Sequence, residues 1–301
     1  MSAKKNSSAQ SKSGLPPVSE WFSGVAGTIL LCAVLAGIFV ACAYAAWHKV
    51  GASVLASPEY FIGPRQIEIT PPPAWIHQTD VRGEVYRDLT QHAPASIMDN
   101  DLVERVTAAL LRQPWVAKVR QVTKQYPARV TAELVYRRPV CMVKLGDQLL
   151  PIDVEAVLLP GDDFTPVEKA KYPRLEGVDQ RPLGGVGRRW GDLRVAGGAE
   201  IAAALLPIWE KLSLQAIVPR LPGAMAGNAA IQPATGRRAG EYYFEIIAPG
   251  GIRVLWGISP DSDIGGEPTA QQKAKKLEQI FAEHGRLDYP QAPREIDLRR
   301  P

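Results

Sequence analysis

Four histidines, His48, His77, His92 and His284, are the first residues to test for chemistry. A zinc or acid–base site needs such side chains at ligand spacing, with thiols or carboxylates to complete it, and these four stand far apart. His48 is expected at a membrane interface and the other three in solvent. The three cysteines, Cys32, Cys42 and Cys141, contain no Cys-x-x-Cys pair and cannot build a disulfide scaffold. Neither a Gly-x-Ser-x-Gly elbow nor a Walker loop occurs. The run Gly184-Gly185-Val186-Gly187-Arg188-Arg189-Trp190-Gly191 is rich enough in glycine to cradle a phosphate. It lacks a preceding strand and a following helix cap in the required order, so it is read as a flexible loop between strands. Asp162-Asp163, Asp261 and Asp263 read as turn residues, and Arg188-Arg189 and Arg237-Arg238 as solvated loop charges. The residue types therefore point to no catalytic centre, no metal and no cofactor, and the chain is expected not to be an enzyme. A net charge of +4 is too small to argue for nucleic acid.

The elements that hold these residues are unevenly distributed. The chain has 301 residues, 46% of them hydrophobic and 22% charged, which allows about two domains. Between Trp21 and Trp47 there is no charged residue, and Val25 to Ala46 is almost purely apolar. A bilayer core of about 30 Å needs about 20 such residues in a helix. Trp21, Trp47 and Tyr44 sit where aromatic rings favour the interface. Ala41-Cys42-Ala43 and Ala43-Tyr44-Ala45 resemble signal-peptide cleavage sites. Secretory apolar regions usually run to about 7–15 residues, however, so an uncleaved anchor is the expectation. Residues 1–20, with Lys4, Lys5, Lys12 and many serines, are predicted to be a disordered tail on the cytoplasmic side. The span is assigned to 21–48 and a linker to 49–65.

Beyond the linker the pattern predicts a strand at Gln66–Thr70 and helices at Asp80–Leu89 and Asp99–Gln113. Asp99 or Asn100 would cap the second helix, and Leu102, Val106, Ala109 and Leu110 would line its buried face. Strands at Val116–Tyr126 and Val130–Val140 follow, turning at Pro127-Ala128. Alternating strands cannot be buried on both sides, so the two helices must cover one face of a small sheet. A second region, 141–301, reads as β-rich. It has a hairpin turn at Gly146-Asp147, a helix near Ala199–Leu214 interrupted by Pro207, and a Pro- and Gly-rich loop at 219–240. A hairpin joins Tyr242–Ala248 to Ile252–Trp256, and an amphipathic helix covers Gln271–Gly285. On that helix Ala274, Leu277, Ile280 and Phe281 would face inward, and Lys273, Lys275, Lys276 and Glu278 would face water. The fold class is thus α+β.

The order strand-helix-helix-strand-strand just beyond a single span resembles a POTRA domain, assigned to 66–140. Gln113-Pro-Trp-Val-Ala-Lys-Val-Arg-Gln-Val-Thr-Lys-Gln-Tyr-Pro127, the stretch from Val130 to Pro139, and Tyr172-Pro-Arg-Leu-Glu-Gly177 resemble segments of the FtsQ/DivIB bacterial cell-division proteins. So does the end of the chain, where Lys276-Leu277 leads to Ile296-Asp297-Leu298-Arg299. One departure is Ala156, which stands where the family places a glycine after Asp153.

That resemblance implies a non-enzymatic scaffold of the cytoplasmic membrane. It would be a single-pass protein with its N-terminus inside and its folded part in the periplasm or outside, gathered at the division site. Its partners would be FtsL- and FtsB-type coiled-coil proteins and septal peptidoglycan synthesis proteins, with no nucleic acid and no small-molecule ligand. Partner binding would involve the closing strand, through Asp297, Leu298, Arg299 and Arg300, with Lys275 and Lys276 nearby. Asp297 and Leu298 can equally be structural, the one a pairing residue and the other core. The alternative is a POTRA-bearing envelope-assembly or translocation component, although no series of amphipathic barrel strands is present. An anchored enzyme is the third reading, and it lacks a catalytic constellation.

Overall fold

The computed structural model describes residues 25–55, 57–91, 93–221, 242–260 and 266–300. The predicted tail, Trp21, His92, most of the 219–240 loop with Arg237 and Arg238, and Asp261 and Asp263 lie outside the described residues. The chain divides into two units, Met1–Tyr60 and Phe61–Pro301.

The first unit contains helix α1, Val25–Leu55. Its side chains from Thr28 to Val50 are all exposed. The stretch Gly27–Gly51, 25 residues, is long and apolar enough to cross a membrane. At about 1.5 Å per residue it is roughly 37 Å long, more than the hydrocarbon thickness. Residues Lys49 to Leu55, assigned above to the linker, are instead the last turns of this helix. A lone glycine such as Gly51 costs only about 1 kcal/mol in a helix, too little to stop it.

The second unit begins with a three-stranded sheet. Strand β1 (Ile67–Ile69) is followed by helices α2 (Val81–Thr90) and α3 (Leu102–Arg112), then strands β2 (Val116–Gln125) and β3 (Arg129–Tyr136). The spatial order is β1-β3-β2, with β1 parallel and β2 antiparallel to β3. Asp80 caps α2 by accepting from the Gly83 N–H at 3.0 Å. The cap position of α3 is Asp101 rather than the expected Asp99 or Asn100, and Asp99 accepts from the Ser96 N–H at 3.1 Å instead. Leu102, Val106, Ala109 and Leu110 are buried, as their spacing predicts, against Val130, Ala132 and Leu134 of β3. The strand expected from Val130 to Val140 breaks at Arg137. Its N–H turns to the Trp115 carbonyl at 2.7 Å, and its guanidinium pairs with Asp153 at 2.6 Å.

A seven-stranded mixed sheet forms the rest. Its strands are β4 (Pro139–Leu145), β5 (Gln148–Asp153), β6 (Arg174–Leu175), β7 (Ala216–Arg220), β8 (Tyr243–Ile247), β9 (Arg253–Ile258) and β10 (Glu295–Asp297), in the order β10-β9-β8-β7-β6-β4-β5. Three helices accompany it: α4 (Pro166–Lys171), α5 (Leu193–Leu205) and α6 (Ala270–His284). Helix α5 starts earlier than expected, capped by Asp192, and ends before Pro207, which cannot donate an interior helix bond. Ile208, Trp209 and Leu212 beyond it are buried all the same. After β5, Ala156 adopts φ +56, the left-handed conformation usually left to glycine. Asp153 holds this turn by accepting from the Glu155 and Val157 N–H groups at 3.0 and 2.8 Å.

The two sheets meet at an apolar cluster of Ile76, Trp115, Met142, Leu159 and Phe164. Asp163, expected in an ordinary turn, is only 2% exposed at this junction. It accepts from the N–H groups of His77, Gln78 and Thr79, from the Thr79 hydroxyl and from the Trp115 indole.

Candidate functional site

An unpaired strand edge presents a row of backbone donors and acceptors to any second strand, and a fold must either cover it or use it. The two edges of the seven-stranded sheet are treated oppositely. At the β5 edge the chain folds back on itself. The Asp153 N–H donates to the Val157 carbonyl at 3.1 Å, and the Leu159 N–H donates to the Pro151 carbonyl at 2.9 Å. The glycine-rich run then adds another layer. Gly187 N–H donates to the Leu158 carbonyl, Leu158 N–H to the Arg188 carbonyl, and Trp190 N–H to the Ala156 carbonyl. Those amides are occupied by backbone, so the run is a cover for the sheet edge rather than a phosphate cradle.

The other edge is β10. It lies parallel to β9, with Glu295, Ile296 and Asp297 opposite Arg253, Val254 and Leu255. The Arg294 carbonyl accepts from the Arg253 N–H and the Leu298 N–H donates to the Leu255 carbonyl, both at 3.0 Å. Backbone groups alternate sides along a strand, so the amides of Glu295 and Asp297 point away from β9. Among the described residues no strand pairs with β10 on that side. The sequence explains the edge: Ile296 and Leu298 alternate inward and anchor it in the core, and Glu295, Asp297 and Arg299 take the other face.

The residues expected to bind a partner divide accordingly. Leu298 is fully buried and anchors the strand from below. Asp297 accepts twice from the Arg299 guanidinium, at 2.9 and 2.8 Å, and once from the Arg299 N–H. This clamp holds the Asp297 carboxyl down at about 2 and pushes the Arg299 guanidinium up. Lys276 of α6 reaches across to the Arg300 carbonyl at 3.1 Å, while Lys275 is exposed. Between α6 and the chain end lies a cleft of about 450 Å³ lined by Glu267, Pro268, Gln272, Lys276, Leu298 and Arg300. The structure thus brings Asp297, Leu298, Arg299, Arg300 and Lys276 together at the end of one strand and one helix.

Lys273, expected in water, is 3% exposed. Its ammonium donates to the Trp256 carbonyl at 2.6 Å and to the Glu267 carboxylate at 2.5 Å, and lies 5.3 Å from the Trp256 ring centre. The signal was present: Lys273, Leu277 and Ile280 recur at helical spacing, so Lys273 shares the inward stripe. Gly257, at φ +96 beside a bulge in β9, lets Glu267 come close to the strand backbone.

Among the described residues no group of histidine, cysteine and carboxylate side chains could hold a metal ion. His77 lies 3.2 Å from Glu168, and His284 stacks on Tyr289 with ring centres 3.9 Å apart. Cys141 is fully buried, and burial pushes its thiol up, which disfavours the reactive thiolate. Compared with known proteins, the chain matches no family model and no curated protein sequence.

Proposed function

We propose that this protein is a membrane-anchored, non-enzymatic scaffold that captures an extended segment of a partner protein along β10. In this reading α1 spans the cytoplasmic membrane with its N-terminus inside, and the Phe61–Pro301 unit lies on the far side. The observation that carries it is the asymmetry of the large sheet. One edge is layered over by residues 156–190, and the other carries outward amides on an anchored strand. Strand addition to such an edge draws affinity from main-chain hydrogen bonds and specificity from side chains beside it.

The resemblance to FtsQ/DivIB proteins gives the biological form of the proposal. The three-stranded sheet with two helices would be a POTRA domain, and the partners would be coiled-coil single-span proteins of the division machinery at the septum. Envelope assembly through the same domain is the alternative. Position in the cell separates them: a fluorescent fusion gathers at midcell for the division scaffold and is uniform around the envelope for the alternative.

The edge itself is tested by Asp297→Pro. A proline ring there removes an outward N–H and blocks an approaching strand, while the bonds to β9 from Arg294 and Leu298 remain. Expected is loss of partner co-purification from membranes with α1 still inserted and the melting temperature within a few degrees of wild type. Undiminished co-purification would sink the edge as the docking site. Leu298→Glu is a poor probe, because it buries a charge in the core and tests folding instead.

A further inference from the structure

We infer that the segment captured by β10 carries a lysine or arginine placed beside Glu295; this rests on the docking edge proposed above. On the sheet face opposite the main core, four strands carry alternating charges. Arg220 of β7 donates to Glu245 of β8 at 3.2 Å, and Arg253 of β9 lies 3.9 Å from the same carboxylate. Arg253 also donates to Glu295 of β10 at 2.9 Å. The ladder therefore reads base, acid, base, acid from β7 to β10. Cross-strand and diagonal pairs of opposite charge stabilise neighbouring strands, and like charges opposite one another destabilise them.

The ladder stops on an acid at the open edge. Glu245, inside the ladder, has a base on either side and is 3% exposed. Glu295, at its end, has Arg253 as its one ion pair among the described residues, while the Arg299 guanidinium, committed to Asp297, acts on it only from farther along the face, and its side chain is 45% exposed. A further strand continues the alternation only if it offers a cation at this position. The next acid along the same face does not compete for that cation, because Asp297 is already clamped by two of the three guanidinium nitrogens of Arg299.

A second copy of this chain is a poorer occupant. Antiparallel pairing of two β10 strands that brings Glu295 opposite Arg299 offers it a guanidinium already committed to Asp297. A parallel pairing in register sets Glu295 against Glu295. The favoured occupant is a different chain whose extended stretch places a lysine or arginine beside Glu295.

The test is selection of random heptapeptides displayed on phage against the full-length protein in nanodiscs, comparing wild type, Glu295→Lys, Glu295→Gln and Asp297→Pro. Peptides enriched by wild type should carry Lys or Arg at a fixed position and lose capture on Asp297→Pro. Glu295→Lys should reverse the preference to Asp or Glu by roughly tenfold in capture, and Glu295→Gln should abolish it in either direction. Peptides that depend on the β10 edge but show no basic preference, or that ignore Glu295→Lys, would overturn this inference and leave edge docking standing. An absence of peptides sensitive to Asp297→Pro would overturn both. An edge-dependent dimer of the full chain would make a second copy the occupant and overturn the basic partner.

Discussion

Asp163 shows how much one buried acceptor can hold. Burial alone would raise its carboxyl, but bonds from the Thr79 hydroxyl, the Gln78 N–H, the Trp115 indole and the Thr79 N–H hold it below the usual range. Truncating it leaves several donors at the sheet junction unpaired, each costing about 1–3 kcal/mol when buried. Asp163→Ala should therefore destabilise the protein by about 3 kcal/mol, read as a drop in the thermal midpoint of the full chain in detergent. A carboxyl whose folded pKa is depressed adds stability that is complete above its unfolded value of about 4 and is lost as pH falls through the folded value. Asp297, held at about 2, acts in the same window. Asp163→Asn should thus show a shallower loss of thermal stability between about pH 5 and pH 2 than wild type, not a flat one. An unchanged slope would mean that Asp163 does not carry the acid sensitivity. The sequence showed only an Asp-Asp pair suited to a turn, because the donors come from residues more than 40 positions away.

At the scale of elements, the end of helix α6 nearest β9 is fixed by the Lys273–Glu267 pair. Thr269 and Gln272 form the capping box that starts this helix, and Gly285 in the left-handed conformation ends it. Both signals are local and legible in sequence. The inward lysine is less so, since lysine is rarely buried unless paired, and its partner lies in a loop. Removing one member of a buried ion pair leaves an uncompensated charge, at a cost of about 3–5 kcal/mol. Replacing both by apolar groups costs much less. Glu267→Leu should therefore lower stability by about 3 kcal/mol or more, and Glu267→Leu with Lys273→Met should recover most of it, measured as a double-mutant cycle of thermal unfolding. A double variant no better than the single would contradict the pairing. Other elements followed from pattern alone. The two helices over the small sheet and the β8–β9 hairpin across Pro249-Gly250-Gly251 stand where alternation and turn residues put them. Helix α5 did not, because its small residues, Ala196 to Ala199 and Ala202 to Ala204, give no strong apolar stripe to mark its register.

For the whole molecule, the proposed membrane attachment depends on α1, the one helix among the described residues long and apolar enough to cross a membrane. Its uninterrupted apolar circumference has no counterpart elsewhere in the described residues, where apolar side chains gather into cores around the two sheets. Phe39 lies near the middle of Gly27–Gly51 and is 74% exposed. A charge at mid-span costs about 2.5–3.5 kcal/mol on insertion scales. Phe39→Arg combined with Leu35→Arg should shift the protein from the membrane pellet to the alkali-extractable fraction, and retention in the pellet would count against α1 as the span.

The sequence by itself determined what depends on neighbours along the chain: the apolar run, the helix caps, the alternation of the strands and the turns at glycine. Those preferences are set within a few residues by sterics and hydrogen bonding of the local backbone. The tertiary structure decided which strands lie side by side, and with that which edge is covered and which has no neighbouring strand among the described residues. It also decided that Asp163 and Lys273 are buried, and that Arg220, Glu245, Arg253 and Glu295 form one ladder. Each of these requires segments tens of residues apart to meet. Their pairing is selected by the packing of the whole core, so no local pattern in the sequence reports it.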